Sequence, residues 1–328
     1  MVATEQSKGC ELKNSKLFLH QHKDFDVLIS KIALALRIYP YLVEKDYWLM
    51  HSLWALQQQG WQFELKGGTS LSKGHGIITR FSEDIDIRFK PPAELDLKTG
   101  KNHDKPVHLA ARKAFFDSLA EQIAIPGLVK VKRDTSYDDD KFRNGGIILD
   151  YPSITQQLPG VKEGILLEVG FDVTTPNSPC TISSWALDAA LKAKLEIVDN
   201  RAVDIACYSP AYTFVEKLQT ISTKYRKQQE AGGFPKNFMR HYYDIYCLLD
   251  NAEVQAFIGT PEYIAHKQAR FPKVDNQHIA SNEAFLLNNP ETRALYQREY
   301  EKTEALYYTG QIPFGEILAR IHQHIERL

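Results

Sequence analysis

The sequence has little of what marks disulfide-linked, zinc-stabilised or secreted proteins. Its 328 residues include only four cysteines, which are Cys10, Cys180, Cys207 and Cys247. None lies in a CxxC spacing, which argues against a structural zinc site, and scattered thiols fit a reducing compartment. The polar residues 1–16 lack the apolar core of a signal peptide. We therefore expect a cytoplasmic protein.

Long apolar runs and a surplus of charge are also missing. No run approaches the roughly 20 apolar residues that a membrane-spanning helix needs, so no contact with a membrane is expected. Lys and Arg number 40 and Asp and Glu number 41, which gives a formal net charge of −1. A broad basic surface for non-specific nucleic-acid binding is therefore excluded, and any such contact must come from a local patch.

Two kinds of periodicity divide the chain. Helical spacing comes first and is followed by short alternating segments bounded by Gly, Pro and Asn. The predicted strands cover residues 63–66, 84–89, 128–133, 146–151 and 165–173. From Tyr212 onward the pattern is helical almost to the end. We expect an α+β fold, with a mixed sheet and flanking helices in a domain of residues 1–209 and a helical C-terminal domain of residues 210–328 that completes a cleft.

A glycine-rich segment follows the first predicted strand. It reads Gly67-Gly68-Thr69-Ser70-Leu71-Ser72-Lys73. The loop GxxxxGK[ST] also follows a strand, but it requires glycine where this chain has Ser72 and serine or threonine where it has Gly74. What remains is a tight turn into a short helix. Its backbone N–H groups and hydroxyls could hold a triphosphate, and a purely structural turn is the alternative.

Two acidic residues share one face of the next predicted strand. Side chains alternate along a strand, so Asp84, Asp86 and Arg88 point one way while Ile85 and Ile87 point the other. At ~3.3 Å per residue, the two carboxylates lie about 7 Å apart, which suits oxygen ligands of one or two hard cations. Like charges on a half-buried strand are costly unless a cation neutralises them. We predict a Mg²⁺ or Mn²⁺ site here. The alternative is that the two acids are simply exposed on a sheet edge.

A third carboxylate is expected on a neighbouring strand. In the segment 165–172, Glu168 and Asp172 share a face opposite the apolar residues. Glu168 is central in the strand and is our choice, Asp172 is the fallback, and a solvent-facing acid is the alternative. The run of acids at residues 138–140 lies between two predicted strands, and we interpret it as a solvated hairpin loop rather than a metal site.

Four local patterns occur together in this chain. They are Glu44-Lys45-Asp46-Tyr47-Trp48-Leu49, the turn at 67–73 with Arg80-Phe81-Ser82-Glu83-Asp84-Ile85-Asp86, Thr213-Phe214-Val215-Glu216-Lys217-Leu218, and Arg240-His241-Tyr242-Tyr243-Asp244-Ile245-Tyr246. In combination they resemble the AbiEii/AbiGii-type toxins, DNA-polymerase-β-like nucleotidyltransferases of bacterial toxin–antitoxin and abortive-infection systems. The last eighty or so residues carry no motif that we can place.

The resemblance implies roles for individual positions. Asp84 and Asp86 match the metal-binding pair of the family. Lys217 matches a lysine that contacts NTP phosphates, and Asp244 matches an acid needed for activity as a base or an orienter. The nucleotide-binding candidates of the phosphate motif are Gly67, Gly68, Thr69, Ser70, Ser72 and Lys73, together with Arg80. The family also implies a polymerase-β-like sheet and a cognate antitoxin encoded nearby.

The residues themselves support two of these roles only in part. A lysine such as Lys217 is a reasonable phosphate ligand, although helical lysines are more often solvated. Arg240 and Asp244 are four positions apart on a predicted helix, so an ordinary surface ion pair is the alternative to a polar cluster that faces the cleft.

A basic segment follows Lys217. It collects Lys224, Arg226, Lys227, Lys236 and Arg240 against the single acid Glu230. Such a segment could bind an RNA acceptor through its phosphates, and a solvated loop is the alternative.

The expected reaction is transfer of a nucleoside monophosphate from an NTP to an acceptor. The family makes the 3′ end of tRNA the first choice, and its modification would block translation. Transfer to a protein or a small molecule, and a non-catalytic nucleotide-binding regulatory module, are the alternatives.

Overall fold

The computed structural model describes residues 16–100, 102–235 and 237–328. The polar residues 1–15 with Cys10, and Lys236 of the basic segment, were subjects of prediction and lie outside the described residues. Among the helices of the described part, none has the length and apolar character needed to cross a membrane.

Helices occupy about half of the chain and frame one sheet. The strands are β1 (Phe63–Lys66), β2 (Asp84–Phe89), β3 (Lys130–Asp134), β4 (Asn144–Asp150), β5 (Ile165–Gly170), β6 (Asn177–Ile182) and β7 (Ala202–Tyr208). The helices are α1 (Phe25–Leu36), α2 (Pro40–Gln58), α3 (Gly67–Thr69), α4 (Pro106–Gln122), α5 (Trp185–Lys192), α6 (Pro210–Ala231), α7 (Arg240–Leu248), α8 (Ala252–Phe257), α9 (Pro261–Arg270), α10 (Glu283–Leu286), α11 (Pro290–Glu301) and α12 (Phe314–His324).

The sheet is mixed and has the order β3-β4-β5-β2-β1-β7-β6. Strand β2 is central, pairs antiparallel with β1 and runs parallel to β5. The predicted α+β class with a mixed sheet and flanking helices is confirmed, and the helices that follow β7 supply the rest of the chain.

In the segment 174–209 the sequence predicted no helix or strand, and the structure forms β6, α5 and β7 there. Strand β6 contains Pro179 and lies at the edge of the sheet, where proline is tolerated and the apolar alternation of an interior strand is not required. Strand β7 contains Asp204 with a positive φ of 58°, which interrupts its regular pattern. Irregular strands of this kind give a weak period-2 signal.

Two groups of buried apolar residues form the interior. One lies between the sheet and helices α1, α2, α4 and α5, and the other is built mainly from the helices after β7. The second group also includes Tyr41, Leu71 and Phe81 from the first part of the chain. The two predicted parts therefore pack against each other through apolar contacts, with α6 and α7 placed beside the sheet.

Helix α2 carries charged residues that are buried rather than solvated. Glu44 and Lys45 are fully buried. The Glu44 carboxylate accepts hydrogen bonds from the backbone N–H groups of Ile154 (2.8 Å) and Thr155 (3.1 Å). The Lys45 ammonium donates to the backbone carbonyl of Lys162 at 2.6 Å. Both contacts fix the connection between β4 and β5, which lies beside the acidic end of β2.

The next residue of α2 fixes a second segment. Asp46 is fully buried, forms an ion pair with Lys73, and accepts a hydrogen bond from the Trp185 backbone N–H at 2.9 Å. Lys73 also lies 4.4 Å from the centre of the Trp185 ring. Helix α2 therefore anchors the end of the glycine-rich segment from behind.

Removing the Asp46 carboxylate should destabilise the fold. Asp46→Ala leaves the Lys73 ammonium without its buried partner, and we expect the free energy of unfolding to fall by about 3 kcal/mol. Urea unfolding followed by circular dichroism measures this change. Glu94→Ala, at an exposed position, is the control and should change stability by less than ~0.5 kcal/mol. Equal effects of the two substitutions would contradict the anchoring role of Asp46.

Candidate active site

Three carboxylates lie on one face of the sheet. On β2, Ile85 and Ile87 are fully buried in the core, and Asp84 and Asp86 project from the opposite face. The parallel pairing of β2 with β5 places Glu168 directly opposite Asp86. The side chains of Asp84, Asp86 and Glu168 line one cleft of about 350 Å³.

The fallback acid lies elsewhere. Asp172 follows the end of β5 and is 3.4 Å from the guanidinium of Arg270. It is absent from the residues that line the cleft. Of the two acids considered for the third position, the fold brings only Glu168 beside Asp84 and Asp86.

Burial and the proximity of these acids raise the pKa values of two of them. Burial raises the pKa of Glu168 to about 8, and the carboxylates of Asp86 and Asp84 add to the rise. Burial also raises the pKa of Asp84, while the nearby Lys162 ammonium opposes that rise. Raised pKa values of this kind show that ionised carboxylates are unfavourable here unless a cation neutralises them.

This donor set fits a hard divalent cation. Carboxylate oxygens are the ligands that Mg²⁺ and Mn²⁺ prefer, and a cation would offset the mutual repulsion of the three acids. Within the described part of the chain, no three His, Cys, Asp or Glu side chains already converge as a closed metal centre. Both carboxylate oxygens of Asp84 are instead 3.1 Å from the Lys162 ammonium. The chemistry of the ligands, rather than a preformed cage, therefore supports the site.

The glycine-rich segment forms a tight turn into a short helix, as predicted. Gly67 has a positive φ of 71°, and a Cβ at this position would collide with the Asp86 carboxylate. A Cβ on Gly68 would lie 2.6 Å from the Ser82 hydroxyl and 3.0 Å from the Arg80 guanidinium. Two glycines are required here because the backbone approaches the acidic floor and its neighbours closely.

Most side chains of this segment bind the protein itself. The Thr69 hydroxyl donates to the Asp84 backbone carbonyl at 2.5 Å, and the Ser72 hydroxyl to the Thr69 carbonyl at 3.5 Å. Ser70 is buried against β7, and Lys73 is held by Asp46. Of residues 67–73, only Gly68 lines the cleft. The geometry therefore favours backbone contacts over side-chain contacts between this turn and a ligand.

Helices α6 and α7 supply a basic wall opposite the acidic floor. Lys217 and Lys224 project from α6, and Arg240 and His241 from α7. Burial lowers the pKa of Lys224 to about 8, and the neighbouring Lys217 contributes to the decrease. Burial, with Lys217 and Lys224, also lowers the pKa of His241, so this imidazole is neutral at pH 7. Negative charge on a ligand would be favoured here.

A buried carboxylate holds two of these cations in place. Asp244 is fully buried and binds Arg80 through two hydrogen bonds of 2.7 and 2.8 Å. Its second oxygen is also 2.9 Å from the Lys217 ammonium. Burial alone would raise the pKa of Asp244, but Arg80 and Lys217 hold it at about 2. Asp244 is thus a permanent anion that orients two cations toward the cleft.

The ion pair considered within α7 does not form. Arg240 bonds Glu83 at 2.9 Å, while Asp244 bonds Arg80, which lies 164 positions away in the sequence. Both Arg240 and Arg80 line the cleft. The polar cluster that faces the cleft, rather than a surface pair, is what the fold produces.

The basic segment is divided by the fold. Lys224 and Arg240 line the cleft, but Arg226 binds Asp275 at 2.6 Å and also Glu230. Arg226 and the exposed Lys227 are not among the lining residues. Only part of the predicted acceptor-binding set therefore lies at the site.

Five lining residues were not among the predicted site residues, namely Ser82, Tyr137, Lys162, Asn237 and His241, and two of them, Lys162 and Tyr137, contact the acidic floor or each other. Lys162 bonds Asp84 through its ammonium, and its backbone N–H donates to Glu83 at 3.0 Å. Tyr137 lies in the β3–β4 hairpin, with its ring centre 5.1 Å from the Lys162 ammonium. Both residues belong to connections without a recognisable motif, so no local signal marks them.

Comparison with known proteins gives one family. Residues 48–320 match a family model described as nucleotidyl transferase AbiEii toxin, type IV toxin–antitoxin system. The fold is similar to MenT4, a nucleotidyltransferase toxin from Mycobacterium tuberculosis H37Rv, with 14% identity and a TM-score of 0.41 over 91% of this chain and 94% of that one.

A second solved structure is an antigenic nucleotidyltransferase-like protein from Paracoccidioides brasiliensis. It has 14% identity and a TM-score of 0.35 over 70% of this chain and 94% of its own. No curated protein matches the chain.

The Asp244 ion pairs should give a stability component that acid removes. Because its pKa is about 2 in the folded protein and ~3.9 in unfolded chains, the contribution is complete above pH ~4 and is lost as the pH falls through about 2. We expect Asp244→Asn to lower the free energy of unfolding by about 2–3 kcal/mol at pH 7.

Urea unfolding at pH 7, 5 and 3 measures this difference, which should shrink toward the acidic end. Asp199→Asn, which removes an exposed pair with Arg201, is the control and should cost less than ~1 kcal/mol. A loss of stability for Asp244→Asn that grows with acidification would contradict the assignment.

Proposed function

Because the chain belongs to the AbiEii nucleotidyl transferase toxin family, a family of type IV toxin–antitoxin systems, we propose that this nucleotidyltransferase modifies RNA. It transfers a nucleoside monophosphate from an NTP to the 3′ end of tRNA and so blocks translation. The observation that carries the proposal is one cleft in which three carboxylates face a wall of cations. Such an arrangement serves a polyanionic substrate and a metal ion together.

The acidic floor is the proposed metal site. Asp84 and Asp86 would hold Mg²⁺ or Mn²⁺, with Glu168 beside them. A bound divalent ion supplies neutralisation of the charge that develops on the phosphates of the NTP.

The basic wall and the glycine turn are the proposed triphosphate site. Arg80 and Lys217 both reach the cleft, and Asp244 restricts their orientation by binding them on the buried side. Preorganised cations need little rearrangement when charge shifts toward the leaving pyrophosphate. Gly68 brings backbone close to the same space without a side chain. Lys224 and Arg240 extend the basic wall toward the acceptor.

Glu168 is the proposed proton acceptor. Glu168 lies directly opposite Asp86 in the sheet and lines the same cleft, so its carboxylate is placed beside the proposed metal ligands, where an acceptor hydroxyl would lose its proton. Asp244 is unsuited because it is fully buried and both of its oxygens are engaged in ion pairs. In the reaction, the acceptor hydroxyl oxygen bonds the α-phosphorus, the bond to pyrophosphate breaks, and the hydroxyl proton passes to Glu168.

We also propose residues 1–209 and 210–328 as two domains that share this cleft. Strands β2 and β5 of the first part carry the acids, and α6 and α7 of the second carry Lys217, Lys224 and Arg240. The family further implies a cognate antitoxin as partner.

Incubation of the protein with Mg²⁺, each α-labelled NTP in turn and total bacterial tRNA tests the activity. We expect label on RNA with wild type and with the control Asp199→Ala, and at least ~1000-fold less with Asp84→Ala or Asp86→Ala, because the cation ligands are lost. Label on protein instead of RNA would show that the acceptor is a protein. NTP binding without any transfer to RNA, protein or small molecule would replace the proposal by a regulatory nucleotide-binding module.

Two glycines with positive φ lie on either side of the turn. Substituting each of them separates the effect of backbone strain from the effect on the proposed metal site. Gly67 (φ 71°) abuts Asp86, whereas a Cβ on Gly76 (φ 63°) would meet no atom within 4 Å. Alanine costs a similar backbone strain at both positions, but only at Gly67 does it displace a proposed metal ligand.

We expect Gly67→Ala to lower kcat/KM for NMP transfer by about 100-fold, since a displacement of ~1 Å can have that effect. Gly76→Ala should stay within a few-fold of wild type. Both rates are measured with the labelling reaction, and thermal unfolding of both variants verifies that their stabilities are similar. Similar rates for the two variants would argue that the Gly67 turn is only structural.

A further inference from the structure

The cleft has two ends, which lie on opposite sides of the three carboxylates. On the β1 side, the Gly67 turn lies against Asp86. On the β4 side, Gly146 is the direct neighbour of Glu168 in the sheet. The proposed triphosphate site lies at the first end. The second end adjoins Glu168, the proposed proton acceptor, and lies outside the triphosphate site.

An aromatic ring covers this second end. Tyr137 packs over Gly146 so closely that a Cβ on Gly146 would lie 2.9 Å from the Tyr137 Cβ and 3.0 Å from its ring. The missing side chain at Gly146 is therefore what allows an aromatic residue to sit next to Glu168. Apart from the His241 imidazole, Tyr137 contributes the one aromatic ring among the described residues that line the cleft.

The loop that carries Tyr137 is held rigidly. Arg133 binds the Asp138 carboxylate with two hydrogen bonds of 2.7 and 2.9 Å. The Asp139 carboxylate accepts hydrogen bonds from the backbone N–H groups of Arg143 (2.5 Å) and Asn144 (3.0 Å). The acidic run is thus a structured hairpin loop, and a ring on such a loop loses little conformational entropy when a ligand stacks on it.

Lys162 connects the ring to the acidic floor. Its ammonium lies 5.1 Å from the Tyr137 ring centre and 3.1 Å from both oxygens of Asp84. Its backbone carbonyl is held by the buried Lys45 and by the Tyr41 hydroxyl at 2.9 Å. Buried contacts therefore fix the Lys162 backbone, from which its side chain reaches both the ring and Asp84.

We propose that Tyr137 is a stacking platform for the terminal base of the RNA acceptor. A base on this ring would place the ribose of the same nucleoside toward Glu168, which takes the proton of its hydroxyl. Stacking on an aromatic face is the usual way in which proteins hold an unpaired base, and it tolerates different bases. This subsite rests on the proposed transfer to RNA and makes it specific to an unpaired 3′ end.

A comparison of two tyrosine variants with two acceptors tests the platform. Tyr137→Leu removes the aromatic face, and Tyr137→Phe keeps it and serves as the matched control. The acceptors are one RNA with a complete 3′-terminal nucleotide and the same RNA with an abasic terminal ribose. The NTP dissociation constant is measured in parallel by equilibrium dialysis, which also reports that the cleft is intact.

We expect Tyr137→Leu to raise the acceptor KM about tenfold with kcat within twofold, and Tyr137→Phe to stay within about threefold. Loss of the terminal base should raise the KM of wild type about tenfold and that of Tyr137→Leu no further. The NTP dissociation constant should not change.

Three results would overturn the inference. If base removal costs Tyr137→Leu as much as it costs wild type, the ring does not hold the terminal base. If the NTP dissociation constant rises in Tyr137→Leu, the ring serves the NTP. If wild type labels no RNA at all, the proposed RNA acceptor fails and the subsite fails with it. The first two results would overturn the subsite alone and leave the proposed RNA acceptor standing.

Discussion

The buried ion-pair cluster around Asp244 is the contact on which the site depends. Its carboxylate joins Arg80, which precedes β2, to Lys217 on α6, and it is itself carried by α7. A single buried anion with two cations is stable only when all three are present, since an unpaired charge in this position is strongly destabilising. The cluster therefore fixes the helical part of the chain against the acidic strand, and it leaves the outer faces of both cations turned to the cleft.

The arrangement separates opposite charges that would otherwise neutralise each other. Asp84, Asp86 and Glu168 lie on the sheet, and Lys217 and Lys224 lie across the cleft on α6. Burial raises the pKa of Glu168 and lowers that of Lys224, so each wall is electrostatically unfavourable in isolation. A metal ion suits the first wall and phosphate groups suit the second, which is the pairing that a nucleotidyltransferase needs.

The charges of helix α2 have a different purpose. Glu44, Lys45 and Asp46 are buried and bind two segments that border the cleft. The segments are the β4–β5 connection, with Lys162, and the end of the glycine turn. A pattern that helps to identify the family can thus consist of scaffold residues, because a site assembled from distant connections requires specific buried bonds to hold them.

Local periodicity determined the class of fold and the acidic face by itself. Strands 63–66 and 84–89 have the predicted bounds, and alternation alone places Asp84 and Asp86 on one side, because side chains on a strand must alternate. The sequence also made Glu168 a better choice than Asp172, since it is central in its strand. Only the tertiary structure decided that Lys73 turns away to Asp46, that Asp244 binds Arg80, and that Tyr137 and Lys162 reach the cleft. These contacts join residues from unrelated parts of the chain, and their partners are selected by sheet order and buried charge, which leave no periodic trace in the sequence.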